Sequence, residues 1–486
     1  MCGFIGIAGL AGRDVGPEVY EGLIALQHRG QDAAGILSYD GMFHLRKANG
    51  MVRDIFLRSD MERLRGNLAL GHVRYPTVGM GTDEDAQPFY INFPFGVGMA
   101  HNGNLTNFLD LKGRLFPAEN ICLESSCDVE AILYAFAQAM QATETAADME
   151  VRFRAAVERV FHRAKGAYSV VGILAQKYLF AFRDPAGIKP CIVGRRDTPQ
   201  GVEWAVASES VALDVLGFQR VRDLHNGEAF FVEPGGEPRF IRVLERTHHP
   251  CIFELVYFAR PDSFLDEISV YKTRRRFGKA LGRQWMEDRA PMPDVVIPIP
   301  DSSRDAALAM AQELNLPYRE GFIKNRYVGR TFIMPNQSER QEAIRRKMNP
   351  IPLEFEGKDV LLVDDSIVRG NTSRKLADVA RKVGARKIYF ASTSPPLVAA
   401  CPYGIDMATR ADFVARGRTV EQVREEIQAD YLMYLDIERM NTAAQEGNAD
   451  LGDFCNGCFT GKYPTSEAAG HLDAIEKERL AAHLAV

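Results

Sequence analysis

The chain has 486 residues, of which 46% are hydrophobic and 25% are charged, and it carries a formal net charge of −5. This length is too great for one hydrophobic core and predicts two sizeable domains, while the composition excludes a disordered chain. A small negative charge gives no global attraction to a phosphate backbone, so we expect no nucleic-acid partner.

The amino terminus lacks the features of a secretion signal. The residues around Cys2 show no basic segment followed by a long apolar run, and no apolar run elsewhere has membrane-spanning length. We therefore expect a cytoplasmic protein without a membrane partner. In that reducing compartment its eight cysteines are expected to be reduced, catalytic or metal-binding rather than paired in disulfides.

Short apolar runs separated by Gly, Pro and Asn dominate the first half of the chain. They predict strands of stacked sheets at residues 67–73, 96–100 and 167–174. Helices are predicted near residues 19–27 and 129–140. A turn-rich segment at residues 232–238 predicts the end of this unit, so we place the first domain at residues 2–240.

From residue 294 the pattern changes to buried strands that are followed by helices. Strands are predicted at residues 294–300 and 359–363, and helices at residues 305–315 and 373–383. One face of the last helix is apolar, as expected where a helix covers a parallel sheet; it carries Leu376, Val379, Ala380 and Val383. We therefore predict an α/β domain at residues 250–465 and a helical tail at residues 466–486.

Cys2 is the first candidate catalytic residue. Removal of Met1 would place its thiol beside an α-amino group, and an amine with a pKa of about 8 can accept the thiol proton. A cysteine at position 2 means little alone. Three polar or Gly-containing segments, however, interrupt strand-like runs, as loops that carry chemistry commonly do. They are residues 27–35, 71–77 and 101–105.

At these segments the chain resembles the class II glutamine amidotransferases. The resemblance implies a four-layer αββα amino-terminal-nucleophile domain, in which Cys2 attacks the glutamine amide. It also implies that Asn102 and the Gly103 amide form an oxyanion hole, and that Arg74 and Asp128 bind the α-carboxylate and the α-ammonium of glutamine. A forked guanidinium suits a carboxylate, and preset donors stabilise an oxyanion. The alternative is that Arg74 and Asp128 are surface charges and that Asn102 lies in a simple turn.

Residues 360–373 have the pattern of a strand, an acidic pair, a small-residue loop and a helix start. Backbone N–H groups from Gly370 to Ser373, with the positive end of the helix, would form a cradle for a monophosphate. Asp364 and Asp365 precede this loop, and carboxylates can hold ribose hydroxyls and a hard cation such as Mg²⁺. A strand that ends in two aspartates is otherwise common as a capping or surface feature.

This half resembles the type I phosphoribosyltransferases, and nearly the whole chain resembles the glutamine phosphoribosylpyrophosphate amidotransferases of purine biosynthesis. Further segments that carry the resemblance are residues 256–263, 297–303 and 324–332. It implies that Ser302, Asp364 and Asp365 are the Mg²⁺ positions and that a loop binds the 5′-phosphate of phosphoribosyl pyrophosphate. The residues of that loop are Ser366, Arg369, Gly370, Asn371, Thr372 and Ser373.

The same resemblance implies a mobile lid at residues 324–347. A basic cluster in this segment could equally be a solvated helix face; its residues are Arg340, Arg345, Arg346 and Lys347. Glutamine would be hydrolysed at Cys2, and the ammonia would then displace pyrophosphate to give 5-phosphoribosylamine. Because ammonia in open water would leak away or become protonated, the lid is expected to close a passage between the two sites.

Cys455 and Cys458 place two thiols close enough to bind one metal centre. The spacing alone leaves zinc, a redox pair, an iron–sulfur cluster and two inert thiols open. One branch of the resembled family holds a 4Fe–4S cluster through four cysteines, which match Cys251, Cys401, Cys455 and Cys458. The resemblance favours iron and sulfur over zinc.

The amino terminus departs from that branch in one respect. Its members usually carry a short leader before the catalytic cysteine, whereas only Met1 precedes Cys2 here. We therefore expect maturation to need only methionine removal. The three cysteines that remain, Cys122, Cys127 and Cys191, are interpreted as packing residues.

The resemblance also implies a homo-oligomer, commonly a tetramer, that purine nucleotides inhibit. Other class II amidotransferases couple the first domain to sugar isomerase, asparagine synthetase or glutamate synthase units, and none of these explains the Asp364 loop. A different reading is a regulator that keeps a phosphoribosyltransferase-like fold to sense phosphoribosyl pyrophosphate, or an inactive paralogue. The net charge of −5 and the complete set of residues around Cys2 argue against a DNA-binding regulator.

Overall fold

The computed structural model describes residues 1–75, 82–143, 148–175, 177–325, 348–405, 412–468, 470 and 472. Two antiparallel sheets occupy the first half of the chain, and a parallel sheet lies in the second half. None of the helices in these ranges has both the length and the apolar character that crossing a membrane requires.

The first sheet is antiparallel and has the strand that follows Cys2 at its centre. Within the described ranges its seven strands, in spatial order, are Gln219–Asp223, Ile192–Thr198, Gly201–Ala207, Gly3–Ala8, Leu68–Arg74, Ala33–Tyr39 and Phe43–Asn49. Gly3 lies opposite Val73 in the ladder. This register sets Cys2 beside Arg74, at the ends of two neighbouring strands.

The second sheet packs face to face on the first. Its strands among the described residues, in spatial order, are Arg239–Arg242, Glu228–Val232, Tyr178–Arg183, Gly166–Leu174, Val97–Leu105 and Phe89–Ile91. Apolar side chains from both sheets fill the space between them, among them Phe4, Leu70, Val171 and Leu179. The turn-rich segment at residues 232–238 connects two strands of this sheet, so the sheet continues to Arg242.

Helices cover the outer faces of both sheets and complete a four-layer αββα arrangement. On the side of the first sheet the helices are Gly16–Ala25, Val52–Ile55, Arg58–Arg63 and Ser210–Val215. On the side of the second sheet they are Phe108–Glu119, Val129–Ala142 and Met149–Arg163. Ile132, Phe136 and Met140 recur every four residues and are buried, which explains why this segment forms a helix against the sheet.

The second half is built on four parallel strands. In spatial order the described strands are Val295–Pro298, Asp359–Asp364, Lys387–Ser392 and Tyr431–Tyr434. Val360 and Leu362 pack with Leu376 on one side of this sheet, while Leu361 and Val363 join the apolar core on the other side. Burial on both faces is typical of a parallel sheet and explains the continuous apolar run in this strand.

Helices cover both faces of the parallel sheet, as predicted. They are Val270–Glu287, Arg304–Glu313, Asn371–Lys382, Val420–Glu426 and Ile437–Gln445, with a single turn at Gly457–Thr460. Short helical turns lie at Gln27–Arg29, Asp83–Asp85, Glu254–Phe258 and Pro352–Glu354. Two short hairpin ladders join Phe264–Leu265 to Ile268–Ser269 and Phe322–Lys324 to Met348–Pro350. The predicted combination of an αββα part and a parallel α/β part is confirmed.

Two of the predictions fall mainly outside the described residues. Of the lid at residues 324–347, only the first two residues are described, and Phe322–Lys324 and Met348–Pro350 pair on either side of it. The basic cluster in the lid lies outside the described residues, as does most of the tail at residues 466–486.

The two halves share a continuous apolar core. One buried cluster includes Ile5 and Val73 of the first sheet, Phe253 of the connecting segment and Trp285 of the second half. A polar contact accompanies it, because Asn104 Nδ2 donates to the Pro402 carbonyl oxygen at 2.9 Å. The end of the Val97–Leu105 strand therefore lies directly against the second half.

Candidate functional site

Cys2 lies buried at the start of the central strand of the first sheet. Its backbone N–H donates to Asn102 Oδ1 at 3.2 Å, and its carbonyl oxygen accepts from Arg29 Nε at 2.9 Å. Asn102 Nδ2 is buried and has no hydrogen-bond partner among the described residues. A buried donor that lacks a partner costs free energy, and a preset N–H group of this kind is what an oxyanion hole requires.

Gly103 follows Asn102 at a position where no side chain fits. A Cβ atom on Gly103 would lie 2.0 Å from the Ala167 carbonyl oxygen of the neighbouring strand. The second half also approaches here, since a Cβ on Gly404 would lie 2.8 Å from the Gly103 carbonyl oxygen. Glycine is therefore needed on both sides of this contact. No pattern in the sequence indicated that Gly404 faces Gly103.

Arg74 is buried, with 5% of its surface exposed, so it is not a surface charge. Its guanidinium lies 3.7 Å from the Asp85 carboxylate. Asp85 in turn accepts from the Ser126 backbone N–H at 2.9 Å and from the Ser126 hydroxyl at 2.8 Å. This network fixes the guanidinium next to Cys2 and leaves a planar cation that suits a carboxylate ligand.

Asp128 is also buried, and it is paired rather than exposed. It accepts from the Leu105 backbone N–H at 2.7 Å and lies 3.1 Å from His101 Nε2. Burial raises the pKa of Asp128, but the His101 charge more than offsets this, and the pKa is lowered. Burial lowers the pKa of His101, whereas Asp128 raises it, with a net increase. Each partner therefore favours the charged form of the other, and His101 had no role in the sequence-based prediction.

A second buried network lies on the other side of Cys2. The Arg29 guanidinium donates to the carboxylates of Glu209 and Glu254, the latter at 2.7 Å. Glu209 also accepts from the Ser263 hydroxyl at 2.7 Å and from the Arg260 backbone N–H at 3.0 Å. Arg29 lies within one of the polar segments noted above. Its partners are 180 and 225 positions away, so no local pattern could have found them.

The acidic pair ends the Asp359–Asp364 strand at the carboxyl edge of the parallel sheet. The Ser302 and Ser366 hydroxyls both donate to Asp365, and the Ser303 hydroxyl donates to Asp364 at 3.4 Å. Burial and the Asp365 charge raise the pKa of Asp364 well above its ordinary value. Burial also raises the pKa of Asp365. Two buried carboxylates this close favour a bound cation, which would keep both ionised.

The predicted phosphate loop joins this strand to the Asn371–Lys382 helix. Gly370 precedes the helix with φ of +72°, a left-handed conformation that favours glycine, and no side chain caps the helix start. The N–H groups of its first turn, from Asn371 to Ser373, have no intrahelical acceptors. Ile367 is buried and anchors the loop. The structure thus places an uncapped helix terminus directly after the acidic pair.

Arg274 is a buried cation that the sequence did not reveal as part of this region. Its guanidinium donates to the carbonyl oxygens of Leu255, Tyr257 and Ala259 at 3.0, 3.0 and 2.7 Å. Burial lowers its pKa, and the Asp365 charge opposes this decrease. Arg274 therefore holds the Glu254–Phe258 turn beside the acidic pair.

The four predicted cluster cysteines come from three separate segments. Cys251 and Cys455 form a parallel β-bridge, and the Cys455 N–H donates to the Pro250 carbonyl oxygen at 2.9 Å. Cys458 is buried one helical turn later, and Cys401 is partly exposed. Among the described residues no three possible ligands converge closely enough to hold a single metal ion.

Burial and mutual charge determine how these thiols ionise. Burial raises the pKa of Cys251 to about 12, and it raises the pKa values of Cys455 and Cys458 well above the ordinary thiol value. The Cys401 charge adds to the increase in all three. Metal coordination requires thiolates, so a metal centre bound here would have to supply the charge that removes these protons.

The three other cysteines were predicted to be packing residues. Cys127 and Cys191 are buried, and burial raises the pKa of both thiols. Cys122 is exposed, so that prediction is wrong for this residue. It lies in the segment between the Phe108–Glu119 and Val129–Ala142 helices.

Comparisons with known proteins agree with this geometry. Residues 72–215 match the glutamine amidotransferase domain, and residues 280–394 match the phosphoribosyl transferase domain. The amidophosphoribosyltransferase of Escherichia coli is 45% identical over 488 residues, which are 99% of this chain and 96% of that protein. The chain belongs to the amidophosphoribosyltransferase family. The Pseudomonas aeruginosa amidophosphoribosyltransferase is 44% identical over 484 residues, with the same shares covered.

A solved structure supports the same assignment. The glutamine phosphoribosylpyrophosphate amidotransferase from B. subtilis, complexed with ADP and GMP, is 34% identical, with a TM-score of 0.84. The match covers 96% of this chain and 98% of that one. Like other amidophosphoribosyltransferases, the chain is an enzyme of the glutamine-dependent first step of purine biosynthesis. Matches of this extent do not favour a regulator or an inactive paralogue.

Proposed function

We propose that the enzyme converts phosphoribosyl pyrophosphate, glutamine and water into 5-phosphoribosylamine, pyrophosphate and glutamate through two sites in one chain. The observation that carries the proposal is the unpaired, buried Nδ2 of Asn102 beside Cys2, together with the separate acidic pair. The first site has a nucleophile and a preset donor. The second has acidic groups and a helix terminus, which suit a phosphorylated sugar.

In the first half-reaction the mature chain would begin at Cys2. An α-amine has an ordinary pKa of about 8, so a substantial fraction of it is neutral at working pH and can act as a base. The Cys2 amine would accept the thiol proton and pass it to the departing ammonia as the thioester forms. Asn102 Nδ2 and the Gly103 N–H would stabilise the oxyanion, and water would then release glutamate.

Arg74 and Asp128 are the proposed binding groups for the amino-acid end of glutamine. Both are buried near Cys2, and each is held by its own partners before substrate arrives. A guanidinium held in place can bind the α-carboxylate in a bidentate way, and Asp128 can accept from the α-ammonium. Side chains fixed in advance lose little entropy when the substrate binds.

In the second half-reaction ammonia attacks the anomeric carbon and pyrophosphate leaves with the electrons of the broken C–O bond. The loop after Asp365 is the proposed 5′-phosphate site, formed by Ser366, Arg369, Gly370, Asn371, Thr372 and Ser373. The direct packing of Gly404 on Gly103 places the second half against the proposed oxyanion hole, so ammonia would have only a short distance to travel between the halves. The lid over this site is proposed to exclude water during transfer.

Mg²⁺ is the proposed metal of the second site. Ser302, Asp364 and Asp365 supply oxygen atoms, which are the ligands that Mg²⁺ prefers. When bound, the ion would neutralise charge on the departing pyrophosphate. The buried acidic pair fits this role because its burial disfavours two unpaired negative charges.

We also propose a 4Fe–4S cluster held by Cys251, Cys401, Cys455 and Cys458. Its support is that the four cysteines, from three segments, lie near enough for the charges of Cys251, Cys401 and Cys455 to act on the Cys458 thiol, and that iron–sulfur clusters are held by cysteine thiolates. Purified without oxygen, the protein is expected to be brown and to contain about four iron atoms per chain. Iron and acid-labile sulfide analysis checks this, with a Cys458→Ser variant as the control that loses iron. Active protein that is colourless and contains zinc would contradict the assignment.

The remaining proposals concern assembly and regulation. The B. subtilis protein was solved with ADP and GMP, which supports purine nucleotides as feedback inhibitors of this chain. A homotetramer is the proposed assembly, and the cytoplasm is the proposed location, where free thiols stay reduced.

Glutamine-dependent release of pyrophosphate tests the proposed function. Purified enzyme is expected to release pyrophosphate and glutamate in equal amounts when glutamine, Mg²⁺ and phosphoribosyl pyrophosphate are all present. Omission of any one of the three should remove coupled release. Pyrophosphate release that proceeds at full rate without any nitrogen donor would count against the proposal.

A further inference from the structure

Lys189 is a buried cation that the proposed reaction does not use. Its side chain is fully enclosed, and its Nζ donates to Met1 Sδ at 2.9 Å. A thioether sulfur is only a weak acceptor. No carboxylate in the described part of the chain forms an ion pair with this Nζ. A buried ammonium without a counter-charge destabilises the fold.

Glu254 is the matching anion. Its Oε1 accepts from Arg29 at 2.7 Å, whereas its Oε2 is buried and has no hydrogen-bond partner among the described residues. The Glu254 side chain is 3% exposed. One half of this carboxylate is therefore satisfied, and the other half lacks a donor, which is costly in an apolar surrounding.

Met1 lies close to both of these charges. Burial is the main cause of the lowered pKa of its α-ammonium, Lys189 lowers this pKa further, and Glu254 raises it. A small cavity nearby is lined in part by Ile188, Cys251 and Glu254. Removal of Met1 takes away the sulfur that Lys189 contacts and leaves the Lys189 Nζ without this acceptor.

We propose that Lys189 and Glu254 pair in the mature chain, directly or through one water, and act as positioning residues for the amino-terminal nucleophile. The inference rests on the proposed start of the mature chain at Cys2. The lysine side chain is flexible enough to move its Nζ into the space that methionine leaves. The pair satisfies both unpaired groups and fixes Glu254 against Arg29, which holds the Cys2 carbonyl oxygen at 2.9 Å.

The pair also connects the nucleophile to the second site. Glu254 begins the Glu254–Phe258 turn, whose carbonyl oxygens Arg274 holds beside Asp365. A shift of this turn would therefore move Glu254 and, through Arg29, the Cys2 backbone. Lys189 supplies the charge that keeps Glu254 in place at the junction of the two halves.

The groups that face Lys189 come from several segments. Besides Glu254, its charge acts on the thiols of Cys251 and Cys455, lowering the pKa that burial raises. Lys189 could thus serve the cysteines instead of Glu254. The test must therefore separate a Lys189–Glu254 pair from a lysine that only supports the cysteine cluster.

A double-mutant cycle on the complete enzyme makes this separation. Lys189→Met and Glu254→Gln are each expected to lower kcat/KM for glutamine by about tenfold or more, measured as glutamate release with saturating phosphoribosyl pyrophosphate. If the two residues pair, the fold loss of kcat/KM in the double variant should be at least about fivefold smaller than the product of the fold losses in the two single variants. Lys189→Arg should recover most of the activity, because it keeps the charge. Lys177→Met removes an exposed charge and should change nothing.

Losses that multiply in the double variant would overturn the pairing, as would equal losses in Lys189→Arg and Lys189→Met. Loss of iron from the Lys189→Met variant, if its loss of activity shows no coupling to that of Glu254→Gln, would also overturn the pairing. If a variant is too unstable to assay, the same cycle is measured on the thermal unfolding midpoint.

Synthesis from ammonium salts should persist in every variant. Its absence in the wild-type enzyme would contradict the proposed function, whereas multiplying losses contradict only the pair.

Discussion

The Cys2→Ala variant is expected to lose glutamine-dependent synthesis of 5-phosphoribosylamine while it keeps synthesis from ammonium salts. The thiol is the only nucleophile proposed to form the thioester, so kcat with glutamine should fall by on the order of 10⁴-fold or more. The second site is separate, and its acidic pair has no contact with Cys2 among the described hydrogen bonds. Ammonia supplied from solution should therefore still react.

The measurement is pyrophosphate release with each nitrogen donor in turn. Cys122→Ala is the matched control, because Cys122 is exposed and outside both sites. The control should keep both activities. Equal loss of both activities in Cys2→Ala, with the fold intact by circular dichroism, would show that the two sites are not separable.

The Asp365→Asn variant is expected to show the opposite pattern. Synthesis should fall by about 10²-fold or more with either nitrogen donor, because the substitution removes one charge and one oxygen ligand from the proposed Mg²⁺ site. The Ser302 and Ser366 hydroxyls donate to the two different oxygens of this carboxylate, so one of them would lose its acceptor. Basal glutamine hydrolysis at Cys2 should remain measurable.

Asp359→Asn is a suitable control for this variant. Asp359 begins the same strand at its opposite end, where it accepts from Arg386 at 2.6 Å. Transfer activity should remain close to wild type in the control. The Mg²⁺ concentration that gives half-maximal activity should rise only in Asp365→Asn. Unchanged transfer in Asp365→Asn would remove the acidic pair from the second site.

Both halves of the fold were predictable because each depends on patterns that neighbouring residues carry. Strand Asp359–Asp364 is a continuous apolar run, and it is buried on both faces. The helix after it begins at Asn371, two residues before the predicted start, because Gly370 already provides the turn. The turn at residues 232–238 joins two paired strands, and the domain boundary placed after it stays a prediction, since a hairpin turn and a domain boundary have the same composition.

The candidate site was predictable only in part. Cys2, Asn102 and the acidic pair stand in segments whose residue order is distinctive, and the family comparison now supports the function that they implied. The residues that hold them in place were not predictable. Glu254 and Lys189 look like ordinary charged residues in the sequence, and only burial gives them a role.

The amino-acid order alone was enough to indicate two domains, the nucleophile, the acidic phosphate loop and the four cysteines, because each signal is local or matches a short motif. The folded chain was needed to show that Arg29 joins Cys2 to Glu254, that Gly404 packs on Gly103, and that Asn102 keeps an unpaired donor. These contacts join residues far apart in the chain. Their energies depend on burial and exact distance, which no run of neighbouring residues encodes.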